Sequence, residues 1–194
     1  MSRFLLASLV AAATITSAHA APIITLSSTA PVGATSIENF DSFAADQTIG
    51  VNALALSGSD GRGAKPAQST GNYGSVLGGG TYAISFAPTS AFSFLVGSLD
   101  SYNHLTLTFS DATSLTYDGS QITNGLGSDG YVTYSTGTGP LITAASFRSD
   151  SNSFEFDNLA AGVPEPATWA LLISGFGLVG AAMRRRSIRP SYAA

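Results

Sequence analysis

The central part of this sequence predicts an all-β fold, an antiparallel β-sandwich of jelly-roll type. Three observations lead there. From residue 21 to 162 no helix-length amphipathic pattern occurs. About ten short runs rich in Ile, Val, Thr, Phe and Tyr recur at intervals of roughly ten residues. Between them lie Gly, Asn, Asp, Ser and Pro, the residues that turns demand. Many short strands with turn signals at that spacing fit a sandwich first and a barrel second.

The strands follow in order. "IITLSS" begins at Ile23 and "TSIENFDSF" at Thr35. "GVNALALSG" from Gly50 alternates at Val51, Ala53 and Ala55. "TYAISFA" from Thr81 puts Tyr82, Ile84 and Phe86 on one face, and "AFSFLVGSLD" aligns Phe92, Phe94 and Val96. "HLTLTFS" turns Leu105, Leu107 and Phe109 inward and Thr106 and Thr108 outward. "ATSLTYDG", "YVTYST", "LITAASFRSD" and "SFEFDNLA" complete the series. The stretch from Ser57 to Gly80 reads as a long, solvent-filled loop.

The two ends differ from this middle. "MSRFLLASLVAAATITSAHA" places Arg3 before an apolar core from Phe4 to Ala13, then small residues at Ala18 and Ala20. That order predicts a signal peptide over 1–20, a helix removed by signal peptidase after Ala20. At the other end Pro164, Glu165 and Pro166 break any preceding structure. An uncharged stretch over 167–183 follows, near the lower limit for a transmembrane helix. Trp169 and Ala170 stand at its start, and Arg184, Arg185 and Arg186 close it. The positive-inside rule keeps those arginines cytoplasmic and turns the middle outward.

Segment 163–194 resembles the PEP-CTERM sorting signal, in its PEPxxWA form, of Gram-negative bacteria that make extracellular polysaccharide. Pro164-Glu165-Pro166, Trp169-Ala170, the Gly-rich span and the arginines match in the family's order. The resemblance implies export and transient anchoring in the inner membrane. It also implies processing by exosortase near the Pro-Glu-Pro motif, then display at the cell surface or release. "LVGSLDSYNHLTLTF" and "FEFDNLAAGVPEP" are similar to stretches of one family of exosortase-dependent surface proteins, which implies a β-sandwich and no assigned chemistry.

Composition excludes several functions. There is no cysteine among the 194 residues, hence no disulfide, thiolate metal site or cysteine nucleophile. In the middle, Arg62, Lys65 and Arg148 stand against eleven acids, which argues against nucleic acid as a partner. His104 is the only histidine of the mature domain and is expected at the surface, outside any catalytic set; no G-x-S-x-G elbow occurs. No catalytic residue is assigned, and a hydrolase is the weakest reading.

No cofactor is assigned either, and calcium is the one candidate. It takes oxygens from carboxylates, amides and carbonyls. Neighbouring first and last strands would bring Glu38, Asn39 and Asp41 to Asp157 and Asn158. Exposed aromatics at Tyr73, Tyr102, Tyr131 and Tyr134 would suit sugar rings, including extracellular polysaccharide. The sequence therefore reads as a non-enzymatic, structural or adhesive protein of the surface, matrix or biofilm. The alternative is a carbohydrate-binding module, with or without calcium.

Overall fold

The computed structural model of the chain describes residues 20–162 and 166–184. The predicted signal peptide, with Ala18, lies outside the described residues; Ala20 is exposed. Ten strands follow: β1 (Ile23–Ser27), β2 (Thr35–Glu38), β3 (Gln47–Leu56), β4 (Tyr73–Thr89), β5 (Ala91–Val96), β6 (Asn103–Phe109), β7 (Ser114–Asp118), β8 (Gly130–Ser135), β9 (Ile142–Ser149) and β10 (Phe154–Ala161). A short 3-10 helix, Gly119–Thr123, follows β7, and helix α1 spans Pro166–Arg184.

Every strand pair is antiparallel, as the alternating runs require. The layering differs from the expected pair of separate sheets. All ten strands join one curled sheet, in the order β1-β8-β5-β10-β4-β9-β6-β7, with β2 on β10 and β3 on β4. The cause is β4. Its first residues, Tyr73 to Val76, pair with β3, and Gly74 to Val76 also pair with β10. Gly80 to Thr89 pair with β9 instead. The bend between them is the Gly78-Gly79-Gly80 run. Gly79 has φ of +73°, open to glycine at no steric cost. A Cβ on Gly80 would fall 2.4 Å from the Asn52 carbonyl oxygen and 2.8 Å from those of Val51 and Leu77. So residues 73–80, expected in the loop, are strand, and one continuous strand carries the sheet around its own core.

The core lies inside the curl. Burial alternates along β6, where Leu105, Leu107 and Phe109 point inward, and along β8, where Val132 and Tyr134 do. Phe147 of β9 sits at the centre. It stacks on Phe156 of β10, ring centroids 3.9 Å apart, and meets Phe94 of β5 edge-on at 5.0 Å. These contacts cross from one side of the curl to the other.

The outer faces are unlike each other. Over β10 and β5 the segment 57–72 lies against the sheet, and β5 is buried along its whole length. Over β9, β6 and β7 the outward Thr106, Thr108, Thr116 and Ser146 are exposed or half-buried.

Helix α1 forms where the sequence predicts the spanning segment over 167–183, but as a transmembrane helix the expectation is not met. Among the described residues no helix is long and apolar enough to cross a membrane. Its 19 residues end on Arg184 and include Ser174 and three glycines, which dilute its hydropathy. Leu172, Ile173, Phe176, Leu178, Val179 and Met183 are nevertheless exposed.

Candidate functional site

The acids expected to bind calcium are brought to one region but not into one set. β2 pairs with β10, with Glu38 opposite Leu159, while β1 pairs with β8 instead. Glu38 Oε1 accepts the backbone N–H groups of Asn39 and Phe40 at 3.0 and 2.8 Å. Asp41 accepts Asn72 N at 2.8 Å and Asn39 Nδ2 at 3.1 Å. These carboxylates are spent on shaping turns. Asn158, with φ of +51°, donates to the Tyr131 hydroxyl at 3.3 Å. Among the described residues no group of three or more His, Asp or Glu side chains is placed to hold a metal.

Asp157 is the unusual member. It is fully buried, and its Oδ1 accepts Asn158 N at 2.7 Å. Among the described residues Oδ2 has no hydrogen bond of full geometry; the buried Ser69 hydroxyl lies beside it and, as a loosely placed donor, holds the carboxyl's pKa down in part. Burial pushes the carboxyl up to about 6, and the charge of Asp41 adds to the rise.

Glu155, two residues earlier on the same face, was not singled out by sequence. It is 2% exposed and has a full set of donors. Oε1 accepts Ala64 N at 3.0 Å and the Ser153 hydroxyl; Oε2 accepts the Ser98 hydroxyl at 3.0 Å. This carboxylate pins the segment 57–72, which is also tied by Lys65 Nζ to Gly71 O at 2.6 Å and by Arg62 to Asp60 and Asp46. The expected solvent-filled loop is therefore a bonded cover. The residue pattern hid this because its anchor lies 91 positions away.

His104 lies within β6, not in a surface loop. Its Nδ1 is 2.6 Å from Asp118 of β7 and its Nε2 is 2.9 Å from Asp150, just past β9; Arg148 also pairs with Asp150. The hydrogen bond to Asp118, and then that to Asp150, raise its pKa against an opposing effect of burial. With both nitrogens bonded, the ring ties β6 to β7 and to the residue that follows β9.

Two of the four tyrosines expected to stack on sugars are inaccessible. Tyr73 and Tyr134 are fully buried, their hydroxyls donating to Gly58 O and Ile122 O. Tyr102 and Tyr131 are half-buried, and the Tyr102 hydroxyl bonds to Asp100 at 2.8 Å. A cleft opens elsewhere, between the two ends of the curled sheet. Its volume is about 570 Å³, and β1, β7 and the 3-10 helix line it, with Ile23, Tyr117, Ser120, Gln121 and Asn124 among its walls. Tyr117 falls in the expected strand "ATSLTYDG", where the residue pattern assigns it no role.

Of the sorting residues, Pro164, Glu165, Arg185 and Arg186 lie outside the described residues; Pro166, Trp169, Ala170 and Arg184 belong to α1. A folded β domain is followed by a Gly-rich helix that ends on arginine, the place of a C-terminal sorting signal. That signal is the PEP-CTERM protein-sorting motif, whose family model matches residues 162–186. It implies exosortase processing and sorting to the cell surface. No curated protein matches the chain.

Proposed function

We propose that this protein is a non-enzymatic component of the cell surface or extracellular matrix, structural or adhesive in role, delivered there by exosortase. The match to the sorting motif over 162–186 carries the reading. Two further observations support it. Helix α1 exposes a set of apolar side chains, which demands a lipid or protein environment. In the precursor these side chains hold the tail at the inner membrane until cleavage. In the domain, both ring nitrogens of His104 are occupied by carboxylates, so the imidazole has no free nitrogen to serve as a general base. We read the curled sheet as a jelly roll whose two layers share β4. The reading assigns no cofactor and no nucleic-acid partner.

The test is the mass and location of the mature protein in hosts with and without exosortase. The proposal expects an N-terminus at Ala21 and loss of Trp169 to Arg186 only when exosortase is present. A surface form that retains Trp169 to Arg186 in an exosortase-positive host contradicts it.

A further inference from the structure

The curled sheet does not close. Its path ends at β1 on one side and β7 on the other, and the cleft of about 570 Å³ lies between those ends. That volume falls in the range of small-molecule sites. Its walls are of two kinds. Ile23, Ile24 and the half-buried ring of Tyr117, itself packed 5.2 Å from Tyr134, supply apolar surface. Thr116, Ser120, Gln121 and Asn124 supply hydroxyls and amides. Gln121 spends Oε1 on Asp118 N at 3.1 Å, which leaves its Nε2 as a donor and holds its side chain in place. No side chain lining the cleft is charged, and the one charge at its border is the α-amino group of Ala21 in the mature chain.

This lining selects a ligand. A phosphate or carboxylate would meet no cationic side chain, only the terminal amine of Ala21, and an ammonium no carboxylate within the walls. A neutral ring with one apolar face and several hydroxyls satisfies both kinds of wall. An added peptide strand is less favoured. β7 has only five residues, a length that protects an edge, and Gln121 already takes the N–H of Asp118. We infer that the seam between β1 and β7 is a binding site for a neutral saccharide unit, held against Tyr117 by the side chains of Gln121 and Asn124. The inference is independent of how the chain is sorted, since binding and processing are read separately.

The test uses the mature protein purified from its host, with its N-terminus verified by mass because Ala21 borders the cleft. Glucose, cellotriose and triacetylchitotriose are titrated by NMR and calorimetry, with trigalacturonate as the charged control. Saturable shifts at Tyr117, Gln121 and Asn124 with a neutral sugar, and markedly weaker binding of trigalacturonate, are expected. Gln121→Ala and Asn124→Gly should each weaken binding about tenfold; Asn124→Gly keeps the parent melting temperature, since glycine accepts the φ of +54° there, while Gln121→Ala also gives up its bond to Asp118 N and melts slightly lower. Thr108→Lys, on the bare outer face, should bind as the parent does. Absence of saturable binding by every neutral sugar, binding that survives both cleft variants, or equal binding of trigalacturonate overturns the inference. So does preferential capture of an extended peptide along β7.

Discussion

The two outer faces of the curled sheet carry similar residue types and treat them in opposite ways. Over β10 and β5 the outward positions include Glu155 and Asp157, sealed beneath the segment 57–72. Over β9, β6 and β7 they include His104, Arg148 and Asp118, which stay in contact with water. A carboxylate under cover has to be bonded or neutralised, because burying a bare charge is costly. A carboxylate in the open pairs cheaply and contributes little. The contrast teaches that the acids which resemble ligands in this sequence serve the fold first, and that their energetic weight depends on what lies over them.

The comparison breaks most clearly at Glu155. Replacing it with Ala leaves the donors of Ala64, Ser98 and Ser153 without their shared acceptor, and should cost about 3 kcal/mol in urea unfolding. Trypsin should then cut after Arg62 in the folded protein. If the variant stays as stable and as resistant as the parent, segment 57–72 is held by something else.

Asp157 sharpens the contrast through pH. Its folded pKa of about 6 lies above that of an unfolded aspartate, near 4. The folded state therefore binds this proton more tightly, and the contribution of Asp157 to stability grows as pH falls from about 6 to about 4. Asp157→Asn should abolish that growth and be at least as stable as the parent at pH 7. Melting temperatures across the window decide the matter; an unchanged pH profile in the variant would rule out the buried, high-pKa carboxyl.

On the open face the sign of the pH effect suits a cation. The pKa of His104 is raised on folding, so its stabilisation is complete below the unfolded value near 6.5 and is lost as pH climbs through the folded one. His104→Gln should cost about 1 kcal/mol or less at pH 6 and less again above pH 8. A cost that stays constant from pH 6 to 9 would mean that charge is not involved. Smallest of all, Thr108→Lys should change stability by about 0.5 kcal/mol or less, since no chain covers that position. A loss of several kcal/mol there would reveal an unsuspected cover.

Much of this was legible in the residues. β6 shows its phase in "HLTLTF", and Leu105, Leu107 and Phe109 are buried as the alternation demands. The sorting tail could be read because its information is local, a fixed order of proline, tryptophan, glycines and arginines. Glu38 and Asp157 were expected together through neighbouring first and last strands, but β1 pairs with β8 and it is β2 that pairs with β10, with Glu38 opposite Leu159. Their chemistry was not foreseen, because hydrogen bonds to Asn39 N, Phe40 N and Asn158 N depend on backbone direction, which composition does not carry. Tyr73 and Tyr134 looked like loop aromatics, but pairing with neighbouring strands buries them completely.

The sequence by itself determined the β class, the phase of the strands and the address at the C-terminus. Each rests on interactions between near neighbours or on a linear motif that a protease reads. Only the tertiary structure decided that β4 bends at its glycines and makes one sheet of two layers. It alone brought Ala64 to Glu155, 91 residues apart, and left a cleft where β1 and β7 fail to meet. The reason is physical: covering, bonding and closure depend on which distant backbones come within a few ångströms, and a two-residue period fixes the face of a side chain but not what will lie on it.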